Sequence, residues 1–400
     1  MQTRTDAYPH RAAKTMAVTA AVPSTCRVSV VIPCLDEAET IAECVTTAKT
    51  VLEESGLAGE VIVVDNGSTD GSGDLARAAG ALVVDEPRRG YGSAYLAGLA
   101  VAHGDFIVMV DADLTYDFRE IPRFVRELED GAELVIGNRM QSIKPGAMPW
   151  LSRLGNPLLS GFLNALHRTN VHDVHCGMRA LRRDALPVLN LRTVGMEFAS
   201  EMVIRATRER LDVRELPIEL HPRVGRSKLS PFRDGWRHLR VILVYNPTFL
   251  FLLPGAVMLL AGSLITLLVF VQVPIFGRGL YTHSLIVGCL LILLGVQAVG
   301  TGLAARAFGV YFISEQDRLF QRLRSRLRLE HGLALALLFT AAGLALLGLL
   351  VERWASHGFG GLREERLTIL AATVVAVGAQ IFFTSFLISI LGLRRRRDEP

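Results

Sequence analysis

Two aspartates follow a strongly apolar run and could together bind a metal ion. Asp111 and Asp113 stand in the segment VMVDADLTYD, directly after residues that favour a buried strand. Carboxylates two residues apart can reach one divalent cation, directly or through water, and their hard oxygens suit Mg²⁺ or Mn²⁺. Such a cation would neutralise a leaving diphosphate as a Lewis acid. The spacing predicts a Mg²⁺ or Mn²⁺ site, although an Asp-x-Asp triplet means little without its context.

Three other polar segments provide that context. They are PCLDE at 33–37, DNGSTD at 65–70 and RRGYGSA at 88–94. Short β-branched runs alternate with helix-period stretches between residues 27 and 137, which predicts a parallel sheet wrapped by helices. The runs are RVSVVI, EVIVV, ALVVD, DFIVMV and AELVIG. Because ligands of such sheets bind at the carboxyl ends of the strands, we expect the polar segments on one binding edge.

Taken together, these segments resemble the nucleotide-binding half of an inverting family 2 glycosyltransferase. With DADLTYD and IGNR, they imply a GT-A fold, which is a Rossmann-like, mainly parallel α/β domain. The later segments DVHCGMRAL and RVGRSKLSPFRDGWRHL are similar to those of polyprenyl-phosphate glycosyltransferases, the group of dolichyl-phosphate mannose and glucose synthases. The resemblance covers about residues 26 to 250.

The resemblance assigns most of these residues to a nucleotide-diphosphate sugar. It implies that Asp65 receives N–H groups of the base, and that Pro33 and Glu37 shape the pocket for base and ribose. Asp111 and Asp113 are implied as metal ligands, with Asp113 catalytic. The full set implied for the donor is Pro33, Asp36, Glu37, Asp65, Gly90, Gly92, Asp111, Arg223, Arg226 and Lys228.

Four further positions belong to the expected donor pocket: two are glycines, and two differ from the residues usual in the family. Gly90 and Gly92 allow close backbone approach where a helix begins, so exposed N–H groups could meet a phosphate. A tight strand-to-helix turn is the alternative. The family usually has Asn where this chain has Asp36, and a second acid where it has Asn66. An ionised Asp only accepts hydrogen bonds, which leaves the contact of Asp36 with base or ribose open.

Basic residues are expected to bind the acceptor. Those near the ends of predicted elements are Arg139, Arg179, Arg223, Arg226 and Lys228. An arginine fork matches phosphate oxygens bidentately, so we expect Arg139 and Arg179 to act in catalysis by holding a lipid phosphate. The loop 223–228 would close over the diphosphate, with Gly225 as its hinge. For its last two basic residues, a solvated run beside an anionic membrane is the alternative.

A phosphate acceptor would also change what catalysis requires. A phosphate monoester has a second pKa of about 6, so it is largely dianionic at neutral pH and needs orientation instead of deprotonation. The expected reaction is a single in-line displacement with inversion. Glu197 and Glu201 lie near the position where other family 2 enzymes keep their base. They could orient an arginine or sugar hydroxyls, or form an i, i+4 pair on one helix face.

The C-terminal half contains four runs without any charged residue or histidine. They are residues 248–271, 284–305, 332–351 and 367–393. Each reaches the roughly 20 residues needed to cross about 30 Å of hydrocarbon, so four membrane-spanning helices are predicted. Arginines between the second and third spans, and in the basic tail 394–400, predict a multi-pass protein with its catalytic domain and both termini in the cytoplasm.

The remaining segments complete the predicted organisation. Residues 1–25 lack a long apolar stretch and are expected to form a disordered arm instead of a signal peptide. Residues 26–228 would form the glycosyltransferase domain and residues 247–393 the transmembrane domain. Between them, residues 229–246 are predicted to form an amphipathic helix on the membrane surface. For residues 149–168 a surface helix and an ordinary packing helix remain alternatives.

Two other functions have to be weighed. A polysaccharide synthase, or an enzyme that glycosylates another lipid, would share the donor site, but the Gln-x-x-Arg-Trp motif of processive relatives does not occur. A lipid transporter or flippase with a nucleotide-binding regulatory domain would need charged residues within its spans, where Gln297 and Gln380 are the longest polar side chains.

The sequence therefore predicts transfer of a hexose from a UDP-glucose or GDP-mannose type donor to a polyprenyl phosphate. The spans would anchor the enzyme and could carry a homo-oligomer interface; no nucleic-acid partner is expected.

Overall fold

The chain divides into two units, Met1–His238 and Leu239–Pro400, in a computed structural model. The structure describes residues 26–225, 231–273, 279–312, 329–360 and 364–393. The predicted arm, the basic tail and the loop residues Arg226 and Lys228 lie outside these ranges.

A seven-stranded sheet forms the core of the first unit. Its strands are β1 Val28–Cys34, β2 Gly59–Asp65, β3 Leu82–Asp85, β4 Phe106–Met109, β5 Leu134–Asn138, β6 Arg179–Arg182 and β7 Val213–Pro217. Their spatial order is β3-β2-β1-β4-β6-β5-β7. Only β6 is antiparallel to its neighbours within this sheet, so the described sheet is mainly parallel, as the sequence pattern predicts.

Helices on both faces explain why the central strands are almost continuously apolar. The helices of this unit are α1 Ile41–Glu54, α2 Ser72–Ala78, α3 Tyr91–Val101, α4 Ile121–Glu129, α5 Trp150–His167, α6 Leu186–Leu189, α7 Phe198–Glu209 and α8 Pro231–Val244, within which the unit boundary falls. A parallel strand covered on both faces has no solvent-facing side, and β1 is buried along nearly its whole length. On α1, Ile41, Val45, Ala48 and Leu52 recur at helical spacing and are buried, so this stripe faces the core.

The order of the strands brings the polar segments together. β1 pairs with β2 on one side and with β4 on the other, with Val31 opposite Met109. The chain leaves these three strands at the same edge, directly before or within the segments 33–37, 65–70 and 111–113. A point where neighbouring connections diverge in this way is the usual ligand crevice of an open parallel sheet.

Four long apolar helices form the second unit. A π-helical turn, Thr248–Leu252, leads into α9 Leu253–Val271, and α10 Thr282–Phe312, α11 Leu329–Ser356 and α12 Glu365–Leu393 follow. By length and hydropathy the segments able to cross a membrane are Thr248–Val271, Thr282–Tyr311, Leu329–Ser356 and Glu365–Gly392. The four predicted spans are therefore present, and the last three helices extend beyond the charge-free runs.

Two glycines let α9 and α10 approach each other closely. An added Cβ at Gly262 would lie 2.6 Å from the carbonyl oxygen of Gly288 and 2.8 Å from the backbone nitrogen of Ile292. Helices in lipid gain stability mainly from such close packing, since lipid is as apolar as their side chains.

Gly262→Ala is expected to lower the free energy of unfolding by about 1–3 kcal/mol, because the neighbouring backbone cannot move aside. Gly348→Ala in α11 is the matched control, since nothing lies within 4 Å of its added Cβ. Alanine's higher helix propensity should leave that control unchanged or stabilise it by up to about 1 kcal/mol. Thermal unfolding in detergent measures both; equal unfolding temperatures would contradict the close contact.

Candidate active site

A cavity of about 580 Å³ lies at the carboxyl edge of the sheet. The predicted site residues that line it are Pro33, Glu37, Gly90, Asp111, Asp113 and Arg223. The predicted residues that do not line it are Asp36, Asp65, Gly92, Arg139 and Arg179. A second cavity of about 660 Å³, beside Arg27 and Phe106 at the opposite edge, contains none of them. The site therefore combines most of the strand-end motifs but not the two arginines expected to act in catalysis.

Asp111 lies at the wall of this cavity next to two tyrosines. The hydroxyl of Tyr91 donates to Asp111 Oδ1 at 3.1 Å, and the hydroxyl of Tyr95 lies 3.4 Å from the same oxygen. Burial, followed by the negative charge of Asp113, raises the pKa of Asp111 to about 7. A buried carboxylate beside a second one is an arrangement that a divalent cation would stabilise.

Asp113 is paired with a basic residue from a distant part of the chain. Its Oδ1 accepts from the backbone N–H of Thr115 at 3.1 Å and from the Thr115 hydroxyl at 2.5 Å. Its Oδ2 lies 3.1 Å from a guanidinium nitrogen of Arg223, which also contacts Glu37. Within the described residues, the buried Nε of Arg223 has no acceptor. Arg223 thus joins two predicted donor-site carboxylates and keeps one hydrogen-bond donor unused.

Backbone hydrogen bonds hold Arg223 in this position. The N–H of His221 donates to the carbonyl of Thr115 at 3.0 Å, and the N–H of Val224 donates to the carbonyl of Asp113 at 3.4 Å. Gly225, which follows, has a φ of +85°. This backbone conformation favours glycine, so the chain can turn sharply after Arg223.

Asp36 and Asp65 organise the loops at the cavity edge instead of facing the cavity. Asp36 Oδ1 accepts from the backbone N–H of Thr69 at 2.7 Å and from its hydroxyl at 3.2 Å. Asp65 Oδ1 accepts from the N–H of Ser68 at 2.8 Å. Because both roles need only an acceptor, an aspartate at position 36 fits this structure as well as the asparagine usual in the family.

Asn66 has a role that the sequence analysis missed. Its Nδ2 donates to the carbonyl oxygens of Glu86 at 2.9 Å and Arg88 at 2.7 Å, and its Oδ1 accepts from the N–H of Gly90 at 2.7 Å. Only a group with two donors and an acceptor can make all three bonds. The amide, where the family usually has an acid, fixes the segment that leads into α3.

Gly90 and Gly92 let another backbone segment approach the start of α3. An added Cβ at either glycine would lie 2.2 Å from a carbonyl oxygen, that of Val194 or Thr193 respectively. The N–H of Ser93 donates to the carbonyl of Val194 at 3.1 Å. These glycines therefore serve backbone packing in this structure, a role that neither sequence-based interpretation included.

Glu201 holds the same segment from the other side. It is fully buried, and its Oε2 accepts from the N–H groups of Arg192 at 3.0 Å and Thr193 at 2.8 Å, and from the Thr193 hydroxyl at 2.7 Å. Neither Glu197 nor Glu201 lines the cavity. Glu201 therefore positions the Thr193–Val194 backbone against α3.

Arg179 lies buried outside the cavity lining, so its expected role at the acceptor phosphate stays a prediction. This side chain is 2% exposed, and it donates to the carbonyl oxygens of Cys176 at 2.8 Å, Ala199 at 2.8 Å and Val174 at 2.5 Å. Three of its five N–H groups thus have backbone acceptors. The antiparallel strand β6 lies between β4 and β5 and pairs Arg179 with Met109, the last residue of β4.

The side chain of Arg139 is also held by hydrogen bonds to other side chains of the domain. It forms a bidentate pair with Asp173, with Nε–Oδ2 at 2.7 Å and Nη2–Oδ1 at 2.8 Å, and its Nη1 lies 3.3 Å from the hydroxyl of Tyr116. The buried carboxylate of Asp173 compensates its charge. Its expected contact with a phosphate stays a prediction, and the sequence offered no sign of its partner 34 residues away.

Of the four arginines that line the cavity, two come from segments expected at the site and two from α8. They are Arg89, Arg223, Arg233 and Arg237. The last two belong to α8, whose sequence predicted only a surface helix. Its alternation of aromatic and basic residues was the one signal that could have placed them here.

Comparison with known proteins decides the family. Residues 29–189 match the family described as Glycosyl transferase family 2, and residues 303–392 match the Glycosyltransferase family 2 C-terminal transmembrane region. The low-salt glycan biosynthesis hexosyltransferase Agl6 of Haloferax volcanii is 38% identical over 344 residues, which are 85% of this chain and 83% of that protein. The chain belongs to glycosyltransferase family 2. The predicted GT-A domain, followed by a transmembrane domain, is confirmed.

Two other proteins are similar to this chain over different lengths. The dolichyl-phosphate hexose transferase of Haloferax volcanii is 35% identical over 178 residues, 44% of this chain and 76% of that protein. The undecaprenyl-phosphate 4-deoxy-4-formamido-L-arabinose transferase of Pseudomonas aeruginosa is 31% identical over 288 residues, 69% of this chain and 80% of that protein.

Asn66→Asp is expected to destabilise the protein by about 1–3 kcal/mol, because the carbonyls of Glu86 and Arg88 would face a carboxylate and lose their donor. Asn190→Asp is the control, since Asn190 is exposed and ends the short helix α6. Thermal unfolding and the dissociation constant for a nucleoside diphosphate measure the effect. Unchanged values for Asn66→Asp would show that the amide is not needed in this loop.

Proposed function

We propose that this protein transfers a hexose, with inversion, from a nucleoside-diphosphate sugar to a polyprenyl phosphate. The observation that carries the proposal is one cavity that combines Asp111 and Asp113 with four arginines. Carboxylates suit a metal–diphosphate, and arginines suit phosphate oxygens. A nucleoside-diphosphate donor would use the carboxylates through a metal ion, and the phosphates of donor and acceptor would use the arginines.

The relatives support the two substrate classes. One is named a hexosyltransferase, one a dolichyl-phosphate hexose transferase and one an undecaprenyl-phosphate transferase. Membrane anchoring by four apolar helices is consistent with a lipid acceptor. UDP-glucose and GDP-mannose type donors both fit the proposal.

The residues at the cavity fit a divalent cation, Mg²⁺ or Mn²⁺. Asp111 and Asp113 supply hard oxygen ligands, and the raised pKa of Asp111 indicates a need for positive charge. Among the described residues, no group of three or more His, Cys, Asp or Glu side chains could hold a metal. Diphosphate oxygens and water would therefore complete the coordination. When bound, the cation would stabilise the negative charge of the leaving diphosphate.

Arg223 would change its partner during this cycle. In the structure it is paired with Asp113 and Glu37. With a cation on Asp113, the guanidinium would be free to bind diphosphate oxygens through a fork that includes its unused Nε. Arg226 and Lys228 of the same loop are proposed to join it.

A phosphate acceptor explains why a general base is not required. The acceptor dianion is already nucleophilic, so the cavity has to orient it in line with the sugar and exclude water. Glu197 and Glu201, the nearest candidates for a base in the sequence, lie outside the cavity lining.

The proposed organisation has the catalytic domain, residues 26–228, and both termini on the cytoplasmic side of the membrane. Helix α5 supports contact with the membrane, because Trp150, Leu154 and Leu158 form an exposed apolar stripe. The segment 229–246 is proposed as a second interfacial helix, and residues 247–393 anchor the enzyme.

The proposal is tested with purified full-length protein, Mn²⁺ and a panel of UDP-hexoses and GDP-mannose, each with a short polyprenyl phosphate. Mass spectrometry should detect a sugar-phospho-lipid with one donor class. Asp113→Asn should reduce the rate on the order of 100-fold or more, because stabilisation of the leaving group is lost.

Asp74→Asn is the matched control for that substitution. Asp74 is an exposed carboxylate on α2 paired with Arg77, and its loss should not change the rate. Transfer to a lipid without phosphate, or equal rates for the two variants, would contradict the proposed reaction.

Arg223→Met should raise the affinity for Mn²⁺ alone roughly tenfold, because the ion would no longer displace a guanidinium from Asp113. Arg89→Met removes an equal charge from the same cavity, but Arg89 donates to the carbonyl of Gly67 and does not contact Asp113. Isothermal titration compares the two variants with the wild type. Weaker Mn²⁺ binding to Arg223→Met would show that Arg223 supports Asp113 as a ligand instead of competing for it.

A further inference from the structure

Helix α8 directs three pairs of side chains towards three different surroundings. The pairs are Phe232 with Trp236, Arg233 with Arg237, and Asp234 with His238. Residues four positions apart lie on the same helix face, so each pair forms a stripe. The first stripe is exposed, at 81% and 61%, and the second lines the cavity. The third is buried, at 8% and 7% exposure, although its Asp234 also lines the cavity between the two arginines in sequence.

The buried stripe fixes α8 on the catalytic domain. The Nδ1 of His238 lies 2.9 Å from the hydroxyl of Ser200 on α7, and its ring packs edge to face on His175 at 4.3 Å. Burial lowers the pKa of His238 to about 4, so this imidazole is uncharged at neutral pH. The orientation of the other two stripes therefore follows from this contact.

The cavity stripe carries positive charge that the described protein does not saturate. Arg233 has no hydrogen-bond acceptor among the described residues, and Arg237 lies 3.5 Å from Asp234 on its own helix. By contrast, Arg223 is shared by two carboxylates, and Arg179 donates to three carbonyls. Among the cavity arginines, Arg233 is thus available to a new anion, Arg237 has one long contact with a carboxylate, and Arg89 donates to the carbonyl of Gly67 at another wall.

The exposed stripe lies directly beside these arginines on the helix surface. Its two aromatic side chains are large and apolar, and aromatic residues of this kind suit the boundary between water and lipid. A prenyl phosphate has a matching arrangement, because its anionic phosphate is attached directly to an apolar hydrocarbon chain. Inorganic phosphate would use only the arginine stripe, and a prenyl alcohol only the aromatic one.

We propose that Arg233 and Arg237 bind the phosphate of the acceptor, and that Phe232 and Trp236 contact the first part of its prenyl chain. This inference rests on the proposed function and assigns its acceptor subsite to α8. It adds these residues to the sequence-based expectation for Arg139 and Arg179, whose guanidinium groups lie outside the cavity lining.

The test is steady-state kinetics of hexose transfer with the full-length protein and a short prenyl phosphate. Arg233→Gln and Arg237→Gln should each raise KM for the prenyl phosphate about tenfold, since each removes a charge-assisted hydrogen bond. The KM for the nucleotide sugar should not change, and Arg233→Lys should recover part of the loss. Arg240→Gln, an exposed arginine on the same helix that does not line the cavity, is the control.

Competition experiments separate the two stripes. Trp236→Ala should weaken inhibition by a non-reactive prenyl phosphonate about tenfold but leave weak inhibition by inorganic phosphate unchanged, because only the prenyl compound reaches the aromatic stripe. Arg233→Gln should weaken inhibition by both compounds. A thermal unfolding curve for each variant confirms that it is folded.

The inference is overturned if the arginine variants raise KM for the nucleotide sugar and not for the prenyl phosphate, because α8 would then serve the donor. It is also overturned if Arg240→Gln has an equal effect, which would indicate general electrostatic attraction. Wild-type protein that uses no prenyl phosphate would instead refute the proposed function itself, so the two failures are distinguishable.

Discussion

Asp111 and Asp113 place two carboxylates at one wall of a cavity, and each needs a compensating group there. Tyrosine hydroxyls surround the first, and Arg223 is paired with the second. These contacts are weaker than coordination to a divalent cation would be. Under the proposed function, a divalent cation with a diphosphate would compensate both carboxylates, and much of the surrounding structure holds these groups in place.

The sheet supplies the first part of that support. Because β1 and β4 are spatial neighbours, Glu37 and Asp113 reach the same cavity from segments far apart in sequence. Asn66 fixes the loop before α3, and Glu201 fixes the backbone segment that packs on Gly90. These buried polar groups are not expected to contact the reacting atoms, yet they fix the positions of the loops that form the cavity walls.

The sequence predicted the features that depend on local pattern. Strand periodicity, strand-end motifs and charge-free spans each lie within a short stretch, so the sheet, the carboxylates and the four apolar helices were accessible. It could not predict features that depend on long-range pairing. The position of Arg179 opposite Met109 follows from the antiparallel pairing of β6 with β4, and the pairing of Arg139 follows from Asp173. Likewise, the aromatic and basic residues of α8 indicated a surface helix, but only the contact of His238 with Ser200 shows which stripe faces the cavity.

The central claim is that Asp111 and Asp113 jointly hold a divalent cation on the diphosphate of the donor. Anomalous diffraction from crystals grown with Mn²⁺ and a nucleoside diphosphate tests it most directly. The account predicts one strong Mn²⁺ peak within about 2.5 Å of an oxygen of each aspartate, with Arg223 moved from Asp113 to the diphosphate. A fully occupied nucleotide with its Mn²⁺ elsewhere, or with Arg223 still on Asp113, would contradict the account.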